Sequence, residues 1–362
     1  MSKPVGTPIT LKHIAEHTGL SIMTVSRVVR GRPDVSLSSR RKVMAAVRRL
    51  GYIPNPAAQL LASRTAPGAG SDRIIGTIFS REVVTAHSYF AGIIQGIADE
   101  ARRWDCHLLF GYGLGDSAGS LDYPKMIREM MTRWLILVGK VRPRFVRQLR
   151  GSGFSLVLVD MRPPARDMDA VVCEDALAAY TATCHLIKLG HRRIALLRGP
   201  GRHPFSHALT SGYRRALHEA GIPLREELIL EAPMRPQGGY EAAEALLKRP
   251  RGATAIFTND DMAIGALRAV HDRGLRVPEE MALVGFDDIE YAAHTTPPLT
   301  TVAVPKEEMG RLAVRQAIAQ MEQGDQHVFS TTVVSHTLVI RASSGPSLPH
   351  AEYPQRHGRS ES

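Results

Sequence analysis

The sequence predicts an all-α head followed by a two-lobed α/β core with parallel sheets, and three observations carry that prediction. Residues 10–50 hold three short segments whose apolar side chains recur at three- and four-residue spacing. From residue 74 onward, short continuous apolar runs alternate with amphipathic stretches. The net charge of +11 is also lopsided. Residues 1–64 contain 11 Lys/Arg and 2 Asp/Glu, whereas residues 65–362 hold 35 against 33.

In the head, Thr10 is placed to cap a first helix whose apolar face is Ile14 and Ala15, and Gly19 breaks it at a sharp turn. Ser21 caps a second helix carrying Val25, Val28 and Val29. Two short helices joined by a Gly-containing turn form the DNA-binding helix-turn-helix plan. Ala15 then sits at the crossing and Val25 anchors the second helix against the first. Ile22, Met23, Thr24, Ser26 and Arg27 are left on the N-terminal face, where the core does not need them. A third helix, capped near Ser36, turns Val43, Val47 and Leu50 inward and Arg40, Arg41, Lys42, Arg48 and Arg49 outward. Basic charge clustered in this way suits phosphate neutralisation and points to DNA. Beyond it, Pro54 or Asn55 starts a short helical piece through Ala57, Ala58, Leu60 and Leu61, too short to be stable alone in water.

The strands expected in the core are IIGTIF from 74, HLLFGYG from 107, WLILVG from 134, SLVLVD from 155, RIALLRG from 193, ELILEA from 227, ATAIFTND from 253 and MALVGFDD from 281. Helices are expected over 90–104, 123–131, 145–150, 172–189, 211–220, 239–247, 262–273 and 309–321. A sheet of this kind rarely outgrows one domain of about 150 residues, so two lobes are expected. The expected organisation is a flexible arm (1–9), the headpiece (10–50), a hinge helix (51–64), a linker (65–73), the core (74–341) and a polar, disordered tail (342–362).

Other classes find little support. No apolar run approaches the length needed to span a bilayer, and the N-terminus lacks the apolar segment of a signal peptide, so a cytoplasmic location is expected. Cys106, Cys173 and Cys184 are odd in number and scattered, which fits reduced thiols better than disulfides or a metal site. Gly111, Gly113 and Gly115 lack the full dinucleotide spacing. His203 and His207 are read as loop histidines because Pro204 lies between them. With no P-loop, nucleophile elbow or other reaction centre, the reading is of no enzyme, no cofactor, no catalytic residue and no metal.

The head motifs T-L-x-x-I-A-x-x-x-G-x-S-x-x-T-V-S-R-V, V-S-x-x-[ST]-R-x-K-V and L-G-Y-x-P-N-x-x-A closely resemble the headpiece of LacI-family transcription regulators, over about fifty residues. The core segments VD at 159–160, LGHRRIALLRG at 189–199, TNDDMAIGALRAV at 258–270, VPEEMALVGFDD at 277–288 and PPLTTV at 297–302 resemble the family's periplasmic-binding-protein-like core. In that fold the last helix returns to the N-terminal lobe and HTLVIRAS closes the C-terminal one.

The resemblance implies a homodimeric repressor on double-stranded operator DNA, with Ile22, Met23, Thr24, Ser26 and Arg27 at the major groove. It also implies a hinge helix in the minor groove, starting at Asn55, with Ala58 at the backbone or groove and Leu61 as the wedge. A small effector (a sugar, sugar acid or sugar phosphate) would sit between the lobes, at the carboxyl ends of the strands. Candidate effector contacts are Ser88 and Phe90, with neighbours His87 and Tyr89, then Asp116, Asp160, Phe257, Asp260 and Asp288 beside Asp287. Arg235, with Met234 and Gln237, lies in a loop that gives the family a cleft side chain. Asp160 and Asp288 have a structural alternative, capping helices or fixing loops.

One departure stands out. The family usually carries an Arg three residues before the Gly that aligns with Gly212, and Leu209 occupies that place. Arg198, Arg202 or Arg235 in its stead would favour an acidic or phosphorylated ligand. A pocket that no longer binds is the alternative.

Overall fold

The computed structural model describes residues 10–29, 35–50, 73–80, 88–112, 124–129, 131–249 and 252–345. It divides into one unit ending at Asp72 and a second beginning at Arg73.

The first unit holds α1 (Leu11–Thr18), α2 (Ile22–Val29) and α3 (Leu37–Leu50). Gly19 takes φ +64° directly after α1, a left-handed turn that glycine adopts without penalty. Ser21 Oγ accepts from Thr24 N at 3.1 Å and Ser36 Oγ from Ser39 N at 3.2 Å, so each serine caps its helix as expected. Ile14, Ala15, Val25, Val28, Val43 and Ala46 form one buried cluster, with Val47 and Leu50 packed at its margin.

The second unit contains two six-stranded sheets. The strands are β1 (Ile74–Phe79), β2 (His107–Tyr112), β3 (Trp134–Val138), β4 (Ser155–Val159), β5 (Asp169–Cys173), β6 (Ile194–Arg198), β7 (Ile229–Glu231), β8 (Ala255–Phe257), β9 (Ala282–Asp287), β10 (Thr300–Ala303), β11 (Thr331–Val334) and β12 (Thr337–Val339). The helices are α4 (Ser88–Arg103), α5 (Lys125–Arg128), α6 (Pro143–Gly151), α7 (Asp175–Lys188), α8 (Pro204–Glu219), α9 (Pro236–Leu247), α10 (Asp260–Asp272) and α11 (Lys306–Gln323). The first sheet runs β11-β5-β4-β3-β1-β2, parallel throughout. The second runs β12-β10-β9-β8-β6-β7, parallel except for β12 against β10. Strands β1, β5 and β8 are buried at every position, and β1 and β8 therefore read as apolar runs, whereas β5 opens on Asp169.

Three crossings join the lobes. The chain leaves the first sheet after β5, and α7 packs on α8 and the second sheet. It returns after β10, where α11 packs on α4, β3, β4 and β5. It crosses again between β11 and β12.

The sequence reading missed β5, β10 and β11. β11 is an edge strand whose burial alternates with exposure, and TTVV carries no apolar run to mark it. A second correction concerns α8, which begins at Pro204 rather than near residue 211. Proline is well suited to the first helical position because the N–H it lacks has no partner there. His203 therefore occupies the N-cap position of α8 and His207 lies within the helix.

Candidate nucleic-acid interface and interlobe cleft

On α2, the packing of Val25 and Val28 turns the N-terminal face outward. Ile22 is 51% exposed and Met23 66%, while Arg27 is exposed and Thr24 and Ser26 are half-buried. Large apolar side chains left uncovered beside a basic face suit contact with thymine methyl groups. On α3, Arg41, Lys42 and Arg49 are exposed and Arg40 is half-buried. Asn55, Ala58, Leu61, His87 and Asp116 lie outside the described residues, as do the side chains of Arg48 and Ser88.

In the core, the carboxyl ends of the strands are drawn level by backbone hydrogen bonds. Ser80 N donates to Val138 O (3.2 Å), Gly139 N to Val159 O (3.1 Å) and Asp160 N to Val171 O (3.0 Å). In the second sheet Thr258 N donates to Val284 O at 3.1 Å. Tyr89, in the first turn of α4, packs against the buried clusters of both lobes and donates from its hydroxyl to Asp160 Oδ1 at 3.2 Å. Its phenol pKa is raised by burial and by Asp160, Asp287 and Asp175. The ring of Phe90 meets that of Tyr89 edge-on at 4.9 Å.

Asp160, Asp287 and Asp288 adopt φ of +63°, +111° and +48°, a region non-glycine residues seldom enter. Burial raises the carboxyl pKa of Asp160, Asp175 and Asp287. Asp160 and Asp175 are two carboxylates in one site, and Asp287 feels Asp260 as well as Asp160. Lys306 opens α11 at the second crossing, and its Nζ donates to the backbone carbonyls of Asp287 and of Asp288, the latter at 2.9 Å.

The structure sorts the remaining candidates. Asp260 is fully buried, and its carboxylate accepts from Thr301 Oγ1 at 2.6 Å and Ile289 N at 2.9 Å. Burial outweighs these bonds and lifts its pKa to about 7. Asp288 accepts from Arg341 Nη2 at 2.8 Å, so its carboxylate helps fix the C-terminal strand region. Phe257 lies wholly within the main core. Arg235 is exposed at the N-cap of α9, and Gln237 donates to Glu241 at 2.9 Å. Met234 packs beside Gly199. Leu209 is buried in the core, and Arg198 pairs with Glu231 at 3.5 Å.

The sequence reading overlooked Asp175, Ser80, Asn259 and Lys306 at this edge. Ser80 and Asn259 each follow a strand that is legible in the sequence, β1 and β8. Lys306 follows β10, which is not.

A helix-turn-helix head joined in one chain to a core of two mainly parallel sheets, linked by three crossings, is the plan of an effector-controlled transcription regulator. Residues 10–55 match the model for bacterial regulatory proteins of the lacI family, and residues 183–344 match that for a periplasmic binding protein-like domain. The chain is 32% identical to catabolite control protein A of Priestia megaterium over 340 residues, covering 93% of this chain and 99% of the relative. It is 30% identical to the ribose operon repressor of Haemophilus influenzae over 336 residues, covering 92% and 98%. Among solved structures, the lac repressor dimer bound to operator and the anti-inducer ONPF matches with a TM-score of 0.80 at 26% identity, over 94% of this chain and all of that one. The complex of the regulator CelR with cellobiose matches with a TM-score of 0.67 at 27% identity, over 93% and 100%. The protein belongs to the LacI family. It is a DNA-binding transcriptional regulator and not an enzyme.

Proposed function

We propose that this regulator is a cytoplasmic repressor, binding a pseudo-palindromic operator as a homodimer and releasing or gripping it according to a small molecule held between its lobes. The observation that carries the DNA-reading role is the uncovered face of α2. Ile22, Met23 and Arg27 reach base edges, with Thr24 and Ser26 nearer phosphate. Two-fold symmetry follows because one such helix reads only a half-site. The lac repressor dimer bound to operator, which this chain resembles in fold, supports this, as does the edge strand β2, where Phe110 is 48% and Tyr112 62% exposed.

The head spans residues 10–50, the hinge 51–64 and the core 74–341. Asn55, Ala58 and Leu61 serve the minor groove, with Leu61 as the wedge. Ligand binding shifts the balance between open and closed lobes, which alters how the paired hinges meet DNA. Asp160, with Phe90 beside Tyr89, lies at the edge of the strands that this ligand occupies. Among the described residues no helix is long and apolar enough to cross a membrane, consistent with action on DNA inside the cell.

The test is operator selection from random symmetric duplexes, followed by gel shift at physiological salt. The expected result is one enriched palindrome, protected over two half-sites. Binding that is indifferent to base order would overturn the proposal.

A further inference from the structure

The side chains that lead α2 out of the head are apolar. Ile22 and Met23 follow Ser21, whose hydroxyl caps the helix, so they open its first turn. They are 51% and 66% exposed, while Val25 and Val28 hold the inner face in the buried cluster. Side chains of a helix tilt toward its N-terminus, so Ile22 and Met23 project ahead of that turn.

The polar groups around them are engaged or set back. Thr24 Oγ1 lies 2.9 Å from Ser21 Oγ, within the cap, and Ser26 is half-buried. Arg27 stands one turn behind Met23. Neither leading side chain can donate a hydrogen bond, and the Met23 thioether accepts only weakly. The donor and acceptor pattern that tells one base pair from another is therefore beyond their chemistry.

Charge decides what covers this apolar pair. Residues 1–64 hold 11 Lys/Arg against 2 Asp/Glu, and Arg41, Lys42 and Arg49 are exposed on α3. A polyanion complements that surface, whereas a purely apolar protein face would leave the charge unmatched. In a duplex, the alkyl group that a base presents to the major groove is the C5 methyl of thymine. Cytosine methylated at C5 presents the same group at the same place on the ring. Ile22 and Met23 gain by covering such a methyl, and they make no use of the O4 or N4 beside it.

We infer that Ile22 and Met23 read the C5 methyl of a pyrimidine rather than the identity of its base pair, so that 5-methylcytosine serves in place of thymine where they touch the operator. This rests on the reading of α2 as the helix that enters the major groove. Methylation of cytosine at C5 thereby turns a poor half-site into a good one.

The test uses the full chain and the palindrome enriched from random symmetric duplexes, with Kd read by gel shift at one fixed salt concentration. Each thymine is replaced in turn, in both half-sites, by deoxyuridine, 5-methylcytosine or cytosine, and the opposite base is changed to keep the pairing. Burying one methyl is worth about fourfold in affinity, so deoxyuridine at a contacted thymine is expected to weaken binding about tenfold or more over the two half-sites. 5-Methylcytosine there is expected to bind within about fourfold of thymine, one methyl's worth, and cytosine at least as weakly as deoxyuridine. Ile22→Ala or Met23→Ala is expected to bring thymine and deoxyuridine level at the base that residue touches. Both side chains are exposed, so the melting temperature is expected to stay unchanged. The inference is overturned if deoxyuridine matches thymine at every position, if 5-methylcytosine binds no better than cytosine, if the thymine preference survives both substitutions, or if the enriched half-site holds no thymine. Each of those outcomes leaves α2 standing as the reading helix. If no palindrome is enriched, that reading fails and the inference falls with it.

Discussion

A Cβ placed on Gly285 would lie 1.9 Å from Asp260 Oδ1, so the absent side chain of one residue is the space the other's carboxylate occupies. Asp260 uses that position to tie the start of α10 to Thr301 on β10 and to Ile289 beyond β9. Gly285→Ala must displace the carboxylate from both partners. The expected loss is at least about 2 kcal/mol of core stability, read as a lowered urea midpoint with unchanged slope. An unaltered midpoint would mean that the loop relaxes freely.

The raised carboxyl pKa values make stability depend on pH. Asp260 rises to about 7 in the folded protein, and Asp160, Asp175 and Asp287 are shifted in the same direction. A carboxyl that holds its proton more tightly when folded stabilises fully at pH values below its ordinary range. That contribution is lost as pH rises through the folded value. His185 acts oppositely, since burial lowers its pKa to about 4 and its contribution is complete above about 6.5. The melting temperature of the ligand-free protein is therefore expected to fall between about pH 6.5 and 8, where only the carboxyls act. A flat profile there would contradict the burial of this cluster.

Asp169 is buried at the start of β5 and accepts from Gln320 Nε2 at 2.6 Å and Ser330 N at 2.7 Å, with His327 Nε2 also at 2.6 Å. It joins α11 and the approach to β11 to the first sheet. Asp169→Ala removes the acceptor of Ser330 N and the partner of His327 Nε2, and leaves Gln320 Nε2 only the Leu156 carbonyl, so the expected destabilisation is about 3 kcal/mol. Differential scanning calorimetry of the full chain measures it, and a change below about 1 kcal/mol would show the network to be dispensable.

The head separates folding from reading. Ile14→Ala removes a fully buried side chain from a small cluster, and a loss of about 2–5 kcal/mol is expected to abolish all DNA binding while the core melts as before. Met23→Ala leaves the fold intact, and a loss of about 1–2 kcal/mol is expected for operator but not for random duplex. Leu61→Ala follows the same pattern if the leucine is a wedge. Equal losses on operator and random DNA would assign either residue to the fold instead.

The legible parts of this protein were those with dense local signal. Ser21, Gly19 and Val25 announce the head because cap, turn and core residue lie within seven positions. IIGTIF and SLVLVD announce strands because both faces are buried. TTVA and TTVV did not, since threonines on an edge or beside a hydrogen-bonded network resemble loop. Pro204 misled because its place at a helix start looks, in sequence, like a break. At the cleft, Asp160 stood out beside its strand, but the pairing of Asp288 with Arg341 spans 53 positions and leaves no local trace.

The three crossings between sheets have a genetic consequence. Neither lobe is a contiguous stretch of chain, because the first borrows α11 and β11 from beyond residue 305 and the second takes β12 from beyond residue 336. A stop codon near residue 304 would therefore leave both lobes incomplete at once, and no single cut would release either as a finished domain. Whatever turns one sheet against the other must twist three strands of peptide together.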